Sequence, residues 1–188
     1  SMVFVILDMS PLQSLIPAAF AAMFAVASCR RRGAPLWMPL GVPYSILPVL
    51  GVTALRGGDA AGLHAIIFLF AVVWSTAIFA YFVGRAVGGA KLAPAISPNK
   101  TWSGAIGGGL AGLAAGLIVA LLLGQPNWLA LGFVALALSL IAQAGDLFES
   151  HLKRRFGVKD SGTIIPGHGG VMDRVDGLVA AIVALYFL

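Results

Sequence analysis

The chain has 188 residues, of which 60% are hydrophobic and 10% charged, and its mean hydropathy is +0.97. A soluble domain carries roughly 25% charged residues and is about half apolar, so this composition excludes a water-soluble enzyme and a disordered chain. The net charge of +5 is no nucleic-acid footprint either, because 10 of the 12 Lys and Arg residues sit in three short segments between apolar runs. Those runs approach the roughly 20 residues that a bilayer-spanning helix needs. The expected fold is therefore an all-α, polytopic membrane helical bundle. The single cysteine, Cys29, cannot form an internal disulfide.

In chain order, apolar runs predict six transmembrane helices near 11–28, 36–55, 62–84, 104–123, 128–148 and 169–188. They form one transmembrane domain over 1–188, with N-terminal helices in 1–60 and the chemistry-bearing motifs in 61–188. The first run lacks a small-residue cleavage site and is followed by further spans, so it reads as a helix and not a removed signal peptide. The connectors fall at Cys29–Gly33, Arg56–Asp59, Arg85–Ser103, Gln125–Asn127 and Glu149–His168.

Basic residues concentrate in alternate connectors. Arg30, Arg31 and Arg32 follow span one, Arg85, Lys91 and Lys100 follow span three, and Lys153, Arg154, Arg155 and Lys159 follow span five. By the positive-inside rule these connectors face the cytoplasm, which leaves both termini on the far side. In span four, Gly104, Gly108, Gly112 and Gly116 recur every four residues, a smooth stripe for close helix packing. The same stripe accounts for Gly107–Gly108–Gly109, since no Walker-type Gly-Lys-Ser/Thr follows. Asn99–Lys100–Thr101 matches a glycosylation acceptor but falls on the cytoplasmic side.

The seven acidic residues are the informative ones. Four lie in or at the edges of apolar spans: Asp146 and Glu149 closing span five, Asp173 and Asp176 opening span six. A carboxylate in a bilayer is costly unless it is paired, hydrated or metal-bound, so a functional site is the default reading. Each pair is spaced i,i+3 and so shares a helix face, and both pairs sit near the cytoplasmic ends of their helices. Converging carboxylates suit Mg²⁺, which uses one or two of them plus substrate phosphates. Lys153, Arg154, Lys159, His168 and Arg174 lie around them, the arrangement that stabilises a transferring phosphoryl group. His168, flanked by Gly167, Gly169 and Gly170, is a candidate phosphate donor or proton carrier. Residue chemistry alone thus points to metal-dependent phosphoryl or nucleotidyl transfer at the cytoplasmic membrane face. Intramembrane ion pairing and a proton-relay transporter stand as alternatives.

The run from Ser150 to Asp176 (Ser-His-Leu-Lys-Arg-Arg-Phe-Gly-Val-Lys-Asp-Ser-Gly-Thr-Ile-Ile-Pro-Gly-His-Gly-Gly-Val-Met-Asp-Arg-Val-Asp) closely resembles the signature of the phosphatidate cytidylyltransferase (CDP-diglyceride synthase) family. Gly145–Asp146–Leu147–Phe148–Glu149–Ser150 resembles its metal-proximal motif. Lys91–Trp102 contains its Ser-Pro-x-Lys-Thr-Trp loop, and Tyr44, Pro48 and Leu55–Arg56 fit its upstream spacing. The resemblance covers about residues 41–188. It implies CTP and phosphatidic acid as substrates, CDP-diacylglycerol and pyrophosphate as products, and Mg²⁺ as cofactor, with room for a second monovalent or divalent cation.

Carried over by motif, Asp146 and Asp173 hold the metal, with Glu149 and Asp176 supporting. Lys153, Arg154, Lys159 and Arg174 bind phosphates. Ser97, Lys100, Thr101, Trp102 and Asp160 border the nucleotide or lipid headgroup, and His168 stands with the catalytic set. The resemblance further implies a bacterial inner (plasma) membrane protein, allows a homodimer and implies no nucleic-acid partner. A CTP-dependent enzyme on another lipid phosphate, or a non-catalytic transporter or scaffold, is the competing reading.

The chain departs from the family in two ways. Span three of the family usually runs Trp-x-x-Asp-x-x-Ala-Tyr, whereas Trp74–Tyr81 has Ala77 where the Asp is expected. Relatives also usually carry more N-terminal membrane helices, so the resemblance implies a shortened member. Either departure is expected to weaken activity.

Overall fold

The computed structural model describes residues 23–24, 26–31, 41–57, 60–158 and 175–187. It divides into two compact units, Ser1–Leu63 and His64–Leu188. In the first unit residues 26–31 are helical, and helix α1 (Gly41–Arg56) carries Pro48 within it. Gly57, with φ 49°, follows the end of α1. Helix α2 (Ala60–Val87) begins in this unit, and a Cβ at Gly62 would collide with the Arg56 carbonyl.

The second unit holds the rest of α2, a two-stranded hairpin of β1 (Lys91–Ala93) and β2 (Ser97–Thr101), and helices α3 (Trp102–Leu122), α4 (Trp128–Arg155) and α5 (Asp176–Phe187). Among the described residues, α2, α3 and α4 are long and apolar enough to cross a membrane. At 1.5 Å per residue, the 28 residues of α2 or α4 extend about 42 Å, beyond the roughly 30 Å of hydrocarbon. Both are thus longer than the apolar layer is thick. Large side chains left exposed along them, such as Trp74, Ile78, Phe82, Ile106, Leu110 and Phe133, are what lipid would cover.

The glycine stripe of α3 sits where the neighbouring helices come closest. A Cβ at Gly104 would stand 2.6 Å from the Ala80 carbonyl oxygen, and one at Gly108 2.7 Å from that of Thr76. Gly112 abuts the Thr76 hydroxyl and Ser139, and Gly116 abuts Ala135. Contacts run in opposite directions along each pair of helices, Gly104 to Gly84 and Gly116 to Phe68 on α2, Gly112 to Ser139 and Gly116 to Ala135 on α4. Helix α3 thus runs antiparallel to both α2 and α4, with small residues at the seams. Leu69, Val72, Leu138, Ala181 and Ile182 fill the buried interior. Inside it the Thr76 hydroxyl donates to Ser139 Oγ at 2.7 Å.

Two of the boundaries that differ from expectation shape the site. The connector expected from Glu149 begins only after Arg155, because α4 continues until Gly157 takes φ 68°. There Val158 N–H donates to the Lys153 carbonyl and Gly157 N–H to that of Arg154, a Schellman stop that needs a left-handed residue. Nothing between Phe148 and Arg155 breaks a helix, and leaving the apolar layer is no reason for one to end. The Arg85–Ser103 connector, expected as a loop, holds the hairpin instead. Lys91 pairs with Thr101 and Ala93 with Ser97, with an irregularity between. Strands this short, one of them containing Pro98, carry almost no alternation to detect.

Candidate active site

Helix α3 starts at a defined point. Thr101, at φ −121° and ψ 157°, is its N-cap, and the hydroxyl accepts from Gly104 N–H at 3.1 Å, an arrangement threonine favours. Ser103 Oγ donates to the Gly88 carbonyl, and Trp102 N–H donates to that of Ala90 at 3.0 Å. The hairpin is therefore tied at its base to the end of α2 and the start of α3. Lys100, one residue before the cap, reaches α4, where its Nζ lies 2.6 Å from Asp146 Oδ2.

Asp146 is the centre of the polar cluster. Ser150 Oγ donates to its other oxygen, Oδ1, at 3.5 Å. One turn before it, Gln143 Nε2 donates to the Ala105 carbonyl at 3.3 Å, which ties α4 to the first turn of α3. Beyond it, Glu149 is buried and pairs at i,i+4 with Lys153, 3.4 Å away. Arg154 Nε donates to the Ile96 carbonyl at the hairpin tip, 3.3 Å away.

Helix α5 joins from the other side through two glycines. A Cβ at Gly145 would overlap Ala180 and stand 3.4 Å from the Asp176 carbonyl oxygen, and one at Gly177 would lie 3.0 Å from the Ala142 carbonyl oxygen. That close crossing brings the Asp176 carboxylate within electrostatic reach of Asp146, Glu149 and Lys153. Asp176 Oδ1 also accepts from Gly177 N–H at 2.7 Å.

Of the residues singled out by sequence, the structure brings together Lys100, Asp146, Glu149, Lys153 and Asp176, with Arg154 at the hairpin tip. Ser97 is half-buried in β2 and Trp102 is exposed at the start of α3. The Thr101 hydroxyl is engaged in capping. Lys159, Asp160, His168, Asp173 and Arg174 lie outside the described residues. Ala77 is exposed on α2, one turn from Tyr81, whose hydroxyl accepts from Arg85 at 3.1 Å. Sequence reasoning passed over Gln143 and the Ser150 hydroxyl as parts of the site. Both were visible as polar residues one turn either side of Asp146, but their partners, a carbonyl and a carboxylate, only folding supplies.

The donor set is chemically suited to a hard cation, since Asp146 and Asp176 offer carboxylate oxygens from two helices. Among the described residues no three His, Cys, Asp or Glu side chains converge on one point. Mg²⁺ does not require that, because it commonly completes its shell with water and substrate phosphates. Acids flanked by Lys100, Lys153 and Arg154 match a polyphosphate with its counter-ion.

The sequence model of the cytidylyltransferase family matches residues 3–188, nearly the whole chain. The chain belongs to the cytidylyltransferase family. It is 57% identical over 150 residues to a phosphatidate cytidylyltransferase of Brucella abortus (strain 2308), covering 80% of this chain and 56% of that protein. Over 157 residues it is 45% identical to one from Rickettsia felis, covering 78% of this chain and 65% of that protein. The corresponding protein of Bacillus subtilis (strain 168) is 46% identical over 135 residues, covering 71% of this chain and 50% of that protein. The chain thus spans between half and two thirds of the length of these relatives.

Proposed function

We propose that the protein transfers the cytidylyl group of CTP to phosphatidic acid, giving CDP-diacylglycerol and pyrophosphate. A lipid phosphate oxygen attacks the α-phosphorus of CTP and forms a new P–O bond. The bond between the α-phosphorus and its bridging oxygen to the β-phosphate breaks, and pyrophosphate leaves with the electron pair. The nucleophile is already an anion, so the protein needs no strong base; it must align the reactants and neutralise charge. The observation that carries this reading is the cluster in which the Lys100 ammonium lies 2.6 Å from Asp146, with Glu149, Lys153 and Asp176 around it.

In this reading Asp146 and Asp173 hold Mg²⁺, supported by Asp176 and Glu149. Bound there, the ion neutralises charge on the transferring phosphates. Lys153, Arg154, Lys159 and Arg174 bind the phosphate oxygens, His168 serves as a phosphate donor or proton carrier, and Ser97, Lys100, Trp102 and Asp160 border the nucleotide or headgroup. The site faces the cytoplasm from the inner membrane, a reading supported by the basic residues of the alternate connectors.

Incubating the purified chain in phosphatidic acid vesicles with labelled CTP and Mg²⁺ tests the proposal. Labelled CDP-diacylglycerol and pyrophosphate are expected. Product from a different lipid phosphate alone would move the assignment to a related CTP-dependent enzyme, and no product with any lipid would leave a transporter or scaffold.

A further inference from the structure

The two lysine–carboxylate pairs of the site are built differently. Lys153 and Glu149 sit on one helix, one turn apart, with side chains 15% and 6% exposed. Lys100 and Asp146 come from different elements; their side chains are 27% and 37% exposed, while the Lys100 Nζ itself is buried against the carboxylate. This pair between elements is redundant as an anchor. The hairpin is already held by Trp102 N–H on Ala90, Ser103 on Gly88, Arg154 on Ile96 and the Thr101 cap. The Lys100 backbone is thus fixed by the cap beside it, while its four-carbon stem has rotamers that can carry the ammonium away from Asp146.

From this contrast we infer that Lys100 is an exchangeable counter-ion: it neutralises Asp146 before loading and yields that carboxylate to the divalent cation, turning its ammonium to the incoming phosphates. The inference rests on the reading of Asp146 as an ion-binding carboxylate. A metal cation on the Asp146 carboxylate would stand within a few ångströms of the ammonium at Oδ2, and like charges repel at that distance. Lys100 therefore opposes metal binding in the nucleotide-free protein. A triphosphate removes the opposition by offering the ammonium a second anion, so ion and nucleotide favour each other's binding. A lysine that only contacted nucleotide would have no such effect on the ion.

The test is Mn²⁺ binding to the purified full chain without nucleotide, followed by the electron-paramagnetic signal of free Mn²⁺. Lys100→Met, which keeps the side-chain length, and Lys100→Gln should each bind Mn²⁺ at least about fivefold more tightly than the parent, while Lys100→Arg should stay near it. Equal or weaker binding in folded Met and Gln variants, with Asp146→Asn still weakening Mn²⁺, would overturn the exchange and leave the reading of Asp146 intact. Unchanged Mn²⁺ affinity in Asp146→Asn would overturn both. A second measurement uses the unaltered protein. Acetylation of Lys100 by N-hydroxysulfosuccinimide acetate, read by mass spectrometry, should speed up when Mn²⁺ is added, because the ammonium is released. An unchanged or slower rate would contradict the exchange.

Discussion

Gly112 of α3 faces Thr76 of α2 and Ser139 of α4 at once, and a Cβ at that position would overlap the Thr76 hydroxyl. The same hydroxyl donates to Ser139, so one small residue and one hydrogen bond join three membrane helices at a single level. Gly112→Leu should force the helices apart and destabilise the bundle by about 1–3 kcal/mol. Thr76→Val should cost less, about 0.6 kcal/mol, the usual value for an interhelical hydrogen bond in a membrane. Thermal unfolding in detergent should rank parent, Thr76→Val and Gly112→Leu in that order of falling stability. A Gly112→Leu variant as stable as the parent would contradict the close packing.

Asp146→Asn keeps the shape of the side chain and removes its charge. Product formation should fall at least about a hundredfold, the scale of losing one charge-stabilising group at a reacting phosphate. The protein should remain extractable and folded. Asp173→Asn should behave alike. Near-normal rates for either variant across a Mg²⁺ titration would remove it from the metal site.

Much of this arrangement was legible before folding. The apolar runs marked α2, α3 and α4 to within a few residues at most ends, because a run that must sit in lipid has few other options. The four-residue glycine spacing marked the packing face of α3 for the same reason. The hairpin was not legible, since Lys91–Ala93 and Ser97–Thr101 are too short for a periodic signal. Nor was the full length of α4, whose end is set by the left-handed Gly157 and not by the change from apolar to charged residues. The site was half legible. The scarcity of acids singled out Asp146, Glu149 and Asp176, but that Lys100 would be the residue to meet Asp146 depends on the hairpin and on the Thr101 cap that fixes its base.

The orientation is open to direct labelling. With Cys29 replaced by serine, single cysteines at Arg31, Asn99 and Lys159 should react with an impermeant thiol reagent only from the cytoplasmic side. One at Gln125, at the other end of α3 and α4, should react only from the opposite side. Labelling of Asn99 and Gln125 variants from the same face would contradict a spanning α3.

Ala77 offers a gain-of-function test. It lies one turn before Tyr81 on α2, where the family pattern that the sequence resembles places an Asp, and it is exposed. One charge-assisted contact is worth roughly 1.5–3 kcal/mol, on the order of ten- to a hundredfold in rate when it acts in the transition state. Ala77→Asp should raise product formation by that order or increase the thermal stabilisation given by CTP. No change in either would mean that this position does not serve the site.

Cytidylyl transfer to a lipid phosphate can be read from where the label in CTP goes. The chain in phosphatidic acid vesicles with Mg²⁺ should move label from the α-phosphorus of CTP into lipid, releasing one pyrophosphate for each lipid labelled, and should move none from the γ-phosphorus. Lipid labelled from the γ-position, or unlabelled from either, would contradict the account.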